Sequence, residues 1–148
     1  MIKTLILVFF TSWVITANAQ QINSDTTAIK TLLEKESATW RTGEVKAHAD
    51  CWLIQPYSRI LVSTSKGITI DVAPGSMIHP APNNMGKGGY AINSNYKFSI
   101  HGNSAWVSHN EESTSNDGKK TYSYEMRMLE KIDGEWKLVG QSIHIYNP

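Results

Sequence analysis

Two Asp-Gly dipeptides constrain this chain more than any other feature. Asp117-Gly118 and Asp133-Gly134 each stand between long runs rich in β-branched and aromatic residues. Asp-Gly between strand-like runs is the strongest short-range hairpin signal, because both residues tolerate the left-handed backbone that tight turns require. The runs 105–115, 120–132 and 135–146 therefore read as three consecutive antiparallel strands. A fourth, 95–101, precedes them across Gly102-Asn103.

The first half has a different grammar. Ser24-Asp25-Thr26-Thr27 is a run of helix-capping residues. Behind it Ile29, Leu32, Leu33, Glu36 and Trp40 fall on one helical stripe, and Gly43 stops the helix. A second, shorter helix is expected over 44–52, with Val45, His48, Ala49 and Trp52 on one side. Ile60-Leu61-Val62 and Ile68-Thr69-Ile70 flank a Ser-Lys-Gly turn and read as a hairpin. Ala73 to Gly89 holds three prolines and four glycines and reads as an irregular crossover containing a helical turn.

The first nineteen residues read as a leader. Lys3 precedes an apolar run from Leu5 to Ile15, and Ala17-Asn18-Ala19 is a small-x-small cleavage site. The run is shorter than the roughly 20 residues a membrane-spanning helix needs. The expectation is a signal peptide over 1–19, a single mature domain over 20–148, and a secreted or periplasmic protein with no membrane contact after cleavage.

Charge and cysteine content narrow the function classes. The chain has 14 basic and 13 acidic residues, which argues against a nucleic-acid surface. The single cysteine, Cys51, rules out an intrachain disulfide and a cysteine-rich zinc site. The five histidines lack metal-ligand spacing, so no metal is expected, and no motif implies a cofactor. No nucleophile elbow or phosphate loop is present.

Two-residue turns would set the strand register. Arg127 would then oppose Ser108 and Gly140, Glu125 would oppose Asn110 and Ser142, and Ser123 would oppose His144. One face carries Trp106, Leu129, Trp136 and Leu138 at one end. It carries Ser108, Asn110, Glu112, Glu125, Arg127, Ser142 and His144 at the other. The opposite face carries Val107, His109, Glu111, Tyr122, Tyr124, Met126, Met128, Val139, Ile143 and Ile145. By hydrophobicity alone this second face is the core, and the Glu/Arg face is solvated.

A family resemblance favours the other assignment. Trp40-Arg41-Thr42-Gly43-Glu44, then Cys51-Trp52 and Pro56-Tyr57, resembles the helical entry of SnoaL-like proteins of the nuclear transport factor 2-like, cystatin-like superfamily. The stretch from Arg127 through Asp133-Gly134-Glu135-Trp136 to Val139 resembles that superfamily's hairpin, and Gly102 to Val107 resembles a strand entry. The resemblance implies an α+β fold, with N-terminal helices packed in the concave face of a strongly bent, mostly antiparallel sheet. It also implies a pocket between helices and sheet. In the related hub domain of calcium/calmodulin-dependent kinases the arginine matching Arg127 points into that pocket. Glu112 stands here where that hub carries a second arginine.

The superfamily holds isomerases, dehydratases, cyclases, epoxide hydrolases and non-catalytic binding modules, so three functions are expected to compete. The first is an exported domain binding a small organic molecule through Trp40, His48, Trp52, Ser108, Asn110, Arg127 and Ser142. The second is a cofactor-free isomerase, dehydratase or hydrolase using Glu125 or His144 as acid or base. For that pair the competing assignment is a structural ion pair of Glu125 with Arg127. The third is a dimerisation module without a ligand. If the Glu/Arg face lines the pocket, the apolar face is left for a second subunit, which implies a homodimer.

Overall fold

The computed structural model describes residues 3–81 and 83–148, with side chains from residue 20 onward. The expected leader and its cleavage site fall outside the described side chains. Helix α1 (Lys3–Thr42) is followed by α2 (Val45–Ala49), β1 (Ile60–Ser63), β2 (Thr69–Val72) and a 3-10 turn (Pro74–Met77). The long strands β3 (Tyr90–His101), β4 (Ser104–Thr114), β5 (Lys120–Ile132) and β6 (Glu135–Tyr146) complete the chain. All six strands form one sheet in the order β2-β1-β6-β5-β4-β3, antiparallel throughout except where β1 runs parallel to β6.

Helix α1 does not begin at the Ser24–Thr27 capping run but passes through it. Asp25 is not spent on a cap. Its Oδ1 accepts hydrogen bonds from Lys131 Nζ at 2.5 Å and Trp136 Nε1 at 3.0 Å, and so ties α1 to the tip of the β5–β6 hairpin. The helix stops where expected. Gly43 adopts φ +80°, and the amides of Gly43 and Glu44 both bond to Thr39 O. The next orphan carbonyls, of Trp40 and Arg41, accept from Gly86 and Gly88 in the crossover. The end of α1 is thus stitched to the loop that borders the cavity. Helix α2 is shorter than expected and gives way to a turn at Asp50 and Cys51.

The two Asp-Gly turns differ, and the difference corrects the register. Asp133 (φ 51°) and Gly134 (φ 85°) are both left-handed, and Ile132 pairs with Glu135 across a two-residue turn. In the other hairpin only Gly118 (φ 81°) is left-handed. Gly118 N bonds to Ser115 O, and Thr114 pairs with Lys120. Residues 116–118 form a three-residue loop with a bulge, not the expected two-residue turn. Every β4 partner moves by one: Arg127 faces Val107, and Glu125 faces His109.

A second correction arises in β6. Leu129 pairs with Leu138 but Met128 pairs with Gly140, so Val139 bulges out of the ladder. Beyond it Arg127 faces Gln141, and Tyr124 faces His144. β3 begins at Tyr90 rather than Asn95 and bulges at Asn95-Tyr96, where Asn95 takes φ 55°. Bulges increase twist and bend the sheet, giving it the concave face on which α1 lies.

That concave face is the inner one. Ile29 and Leu33 of α1 pack with Cys51, Trp52, Ile60, Val107, Leu129, Trp136 and Leu138 to close one end. Toward the other end the same helical stripe turns polar at Glu36, Ser37 and Arg41. Arg127 is 4% exposed, whereas Met126 beside it is 46% exposed. The Glu/Arg face is inside. The Tyr124/Met126/Met128 face is outside, contrary to what hydrophobicity alone suggests.

Candidate functional site

Between α1, the crossover and the inner face of the sheet lies a cavity of about 520 Å³. Trp40, Ile60, Val62, Val72, Met77, Ile143 and Ile145 make its apolar wall. Glu36, Ser37, Arg41, Glu111, Ser113, Ser123, Glu125, Arg127 and Gln141 make its polar wall, with exposed Asn84, Lys87 and Ser115 at the outer edge. The volume lies in the range of small-molecule sites.

Two guanidiniums organise the polar wall. Arg127, from β5, donates through Nη2 to Glu125 Oε2, and through Nη1 to Gln141 Oε1 and to Glu36 Oε2 at 3.4 Å. Ser123 Oγ donates to Glu125 Oε1 at 2.9 Å, and His109 Nε2 lies 3.6 Å from Glu125 Oε2. Arg41, in the last turn of α1, donates through Nη2 to Glu111 Oε1 at 2.5 Å and to Ser113 Oγ at 3.1 Å. Ser37 Oγ donates to Glu111 Oε2 at 3.0 Å.

The shared surroundings push the two β-strand carboxyls in opposite directions. Burial opposes ionisation of Glu125, but Arg127, His109 and Ser123 overcome it and hold the carboxyl below the usual range. At Glu111 burial and repulsion from Glu125 prevail over Arg41, Arg127 and Ser37, and its carboxyl is raised. The His109 imidazole is lowered by burial, with Arg127 repelling its charged form and Glu125 pulling the other way. His109 stacks on Tyr96 at 5.1 Å, and among the described residues neither of its ring nitrogens has a side-chain hydrogen-bond partner.

The residues singled out from the sequence separate into three groups. Trp40, Glu125 and Arg127 line the cavity. Trp52 and His48 are buried behind it. His48 Nδ1 sits 3.1 Å from Glu36 O, and the ring lies 5.0 Å from Trp40, so this histidine joins α2 to α1. Ser108, Asn110, Ser142 and His144 project from the outer face, because the three-residue loop and the Val139 bulge each shift register by one. His144 Nε2 bonds there with Ser142 Oγ at 2.9 Å, on the opposite side of the sheet from Glu125.

Sequence reasoning missed Glu36, Arg41, Glu111 and Gln141 as site residues. Glu36 carried a signal. A carboxylate between Leu33 and Trp40 on an apolar helical stripe needs a buried cation, and Arg127 supplies it. Cys51 is not reactive: burial pushes its thiol up to about 11. Among the described residues no three His, Cys, Asp or Glu side chains group to hold a metal ion.

No family model matches the sequence, and no curated protein is similar to it at sequence level. Solved structures are similar to it in fold. A provisionally named scytalone dehydratase from Novosphingobium aromaticivorans superposes with a TM-score of 0.66 at 14% identity, over 87% of this chain and 89% of its own. A provisionally assigned dehydratase of the nuclear transport factor 2-like family from Streptomyces avermitilis gives 0.65 at 12%, over 85% and 99%. A protein of unknown function with a cystatin-like fold, from Nostoc punctiforme, gives 0.63 at 13%, over 84% and 92%. Together with the helix-filled concave sheet, these similarities show that the chain has the cystatin-like fold of nuclear transport factor 2-like proteins.

Proposed function

We propose that this chain is an exported small-molecule-binding domain that holds an amphipathic organic compound between α1 and the sheet. The observation that carries this reading is the cavity itself. It has one apolar wall, an opposing wall of ion-paired polar groups, and an open edge at the crossover. Each charged group on the polar wall already has a partner, so the wall is organised before any ligand arrives.

Native mass spectrometry of the protein recovered from the exported fraction tests this. The expected result is a co-purifying small molecule, on a chain that begins at Gln20, whose occupancy falls in Trp40→Ala. Recovery without any such molecule, and no shift in melting temperature with any compound of an amphipathic library, would overturn the binding reading. A chain beginning at Met1 would overturn export.

One observation favours a second, catalytic reading. Glu111 lies on the cavity wall with its carboxyl raised by burial and by Glu125, so it holds a proton more readily than an ordinary carboxylate. Two of the fold neighbours carry dehydratase names. On this reading the acid or base is Glu111. Glu125 is held ionised by Arg127, and His144 is outside. Any dehydration or isomerisation found for a bound compound would lose its pH-rate dependence in Glu111→Gln.

A further inference from the structure

We propose that the ligand of the cavity is an organic cation, a protonated amine on an apolar body, received by the carboxylates of Glu36 and Glu111. This deepens the small-molecule reading and rests on it.

The first support is charge. Three carboxylates, Glu36, Glu111 and Glu125, line the cavity against two guanidiniums, Arg41 and Arg127, and Lys87 sits only at the exposed edge. Both guanidiniums are engaged inward: Arg127 with Glu125, Gln141 and Glu36, and Arg41 with Glu111, Ser37 and Ser113. An entering carboxylate would find both guanidiniums already ion-paired, and among the described residues Arg127 Nε is their only fully buried nitrogen without a hydrogen bond. It would have to break a buried ion pair while adding a fourth negative charge, which is costly in a desolvated site. An entering ammonium meets a surplus of acceptors.

A second, independent support is Glu36. The residue is 5% exposed and lies on the cavity wall. One carboxylate oxygen receives only the 3.4 Å contact from Arg127. Among the described residues the other, Oε1, has no hydrogen bond, and the imidazole of His48 stands 3.7 Å away. With no donor in hydrogen-bond range, Oε1 keeps a lone pair that a ligand N–H in the cavity can take. Trp40, on the same wall, offers a flat face for the apolar body or for the cation itself.

The test compares three indoles that share one body and differ in charge: tryptamine, tryptophol and indole-3-acetate. Isothermal titration of the whole protein at neutral pH should show tryptamine binding about tenfold more tightly than tryptophol, as one charge-assisted hydrogen bond provides, with indole-3-acetate weakest. In Glu36→Gln the tryptamine advantage over tryptophol should fall to about twofold or less, while the circular dichroism spectrum and a cooperative thermal melt report that the fold is intact. Should that variant not fold, the order of the three ligands on the wild-type protein decides alone. Equal binding of tryptamine and tryptophol, or a preference for indole-3-acetate, overturns the cation assignment and leaves the cavity a small-molecule site. Failure of all three, with a neutral or acidic compound co-purifying, overturns the cation assignment alone. Failure of all three with nothing co-purifying removes both readings.

Discussion

Arg127 reaches back along its own strand to Glu125, two residues earlier, so an ion pair lies flat on the inner face of the sheet. Neighbours at this spacing share a face by the pleat alone. The pair therefore needs no long-range accident to form, but both charges are buried and depend on each other. Arg127→Ala should destabilise the fold by about 3–5 kcal/mol, because it strands Glu125 and Glu36 without their cation. Urea unfolding at neutral pH measures this. A loss under about 1 kcal/mol is what an exposed pair gives, and would place the side chain in solvent.

The opposed carboxyls predict opposed pH slopes. Glu125 is held below its unfolded value, so it contributes stability above that value and loses it as the pH falls through the folded one. Glu111 is raised, so its contribution is fully present below the unfolded value and is lost as the pH rises through the folded one. Denaturation from acid to neutral pH should show Glu111→Gln gaining on the wild type as pH rises. Glu125→Gln should fall behind over the same span. Parallel curves for the two variants would refute the assignment.

Asp25 fastens the helix to the hairpin tip. Burial works against its ionisation, but Lys131, Trp136 and Gln21 donate to it and hold the carboxyl low. Asp25→Ala should cost about 1–3 kcal/mol by leaving the Trp136 indole N–H without its acceptor. Asp25→Asn should cost less, since an amide oxygen still accepts. Thermal melts of the two variants check the order.

Much of the architecture follows from short motifs, and the site does not. The hairpins, the Gly43 stop and the crossover rest on local backbone preferences that a dipeptide or a glycine declares. The loop at 116–118 rests on contacts distant in sequence. Asn116 accepts from Gly89 N at 2.8 Å and donates to Lys87 O at 3.1 Å, so the crossover holds the loop in its three-residue form. At 133–134 the long-range contacts fall on Lys131 and Trp136, outside the turn itself, and the same Asp-Gly pair makes the two-residue turn. Hydrophobicity failed for a related reason. It reads Tyr124, Met126 and Met128 as core, whereas the fold gives the inner face to charges that satisfy one another.

The outer face then presents Trp106, Tyr124, Met126 and Met128, each between 40% and 52% exposed. An exposed apolar patch of this kind is the surface that the homodimer expected from the sequence would bury. Sedimentation should give a dimer at micromolar concentration, and Met126→Glu should yield a folded monomer. A wild-type monomer at the same concentration would overturn this.

The bulge at Val139 has a consequence for descent. It adds one residue to β6 and shifts the strand's phase by one: Trp136 and Leu138 face inward before it, Gln141 and Ile143 after it. Gly140 tolerates the spot because a side chain there would meet Arg59 O and the Met128 side chain. A relative one residue shorter at this point can therefore keep the same inner lining on a straighter strand. Aligned without a gap at 139, that relative would be out of phase from there to its end. Gln141, Ile143 and Ile145 would each be matched to a side chain on the far side of the sheet, and shared ancestry would be hidden in the segment that forms much of the cavity's apolar wall.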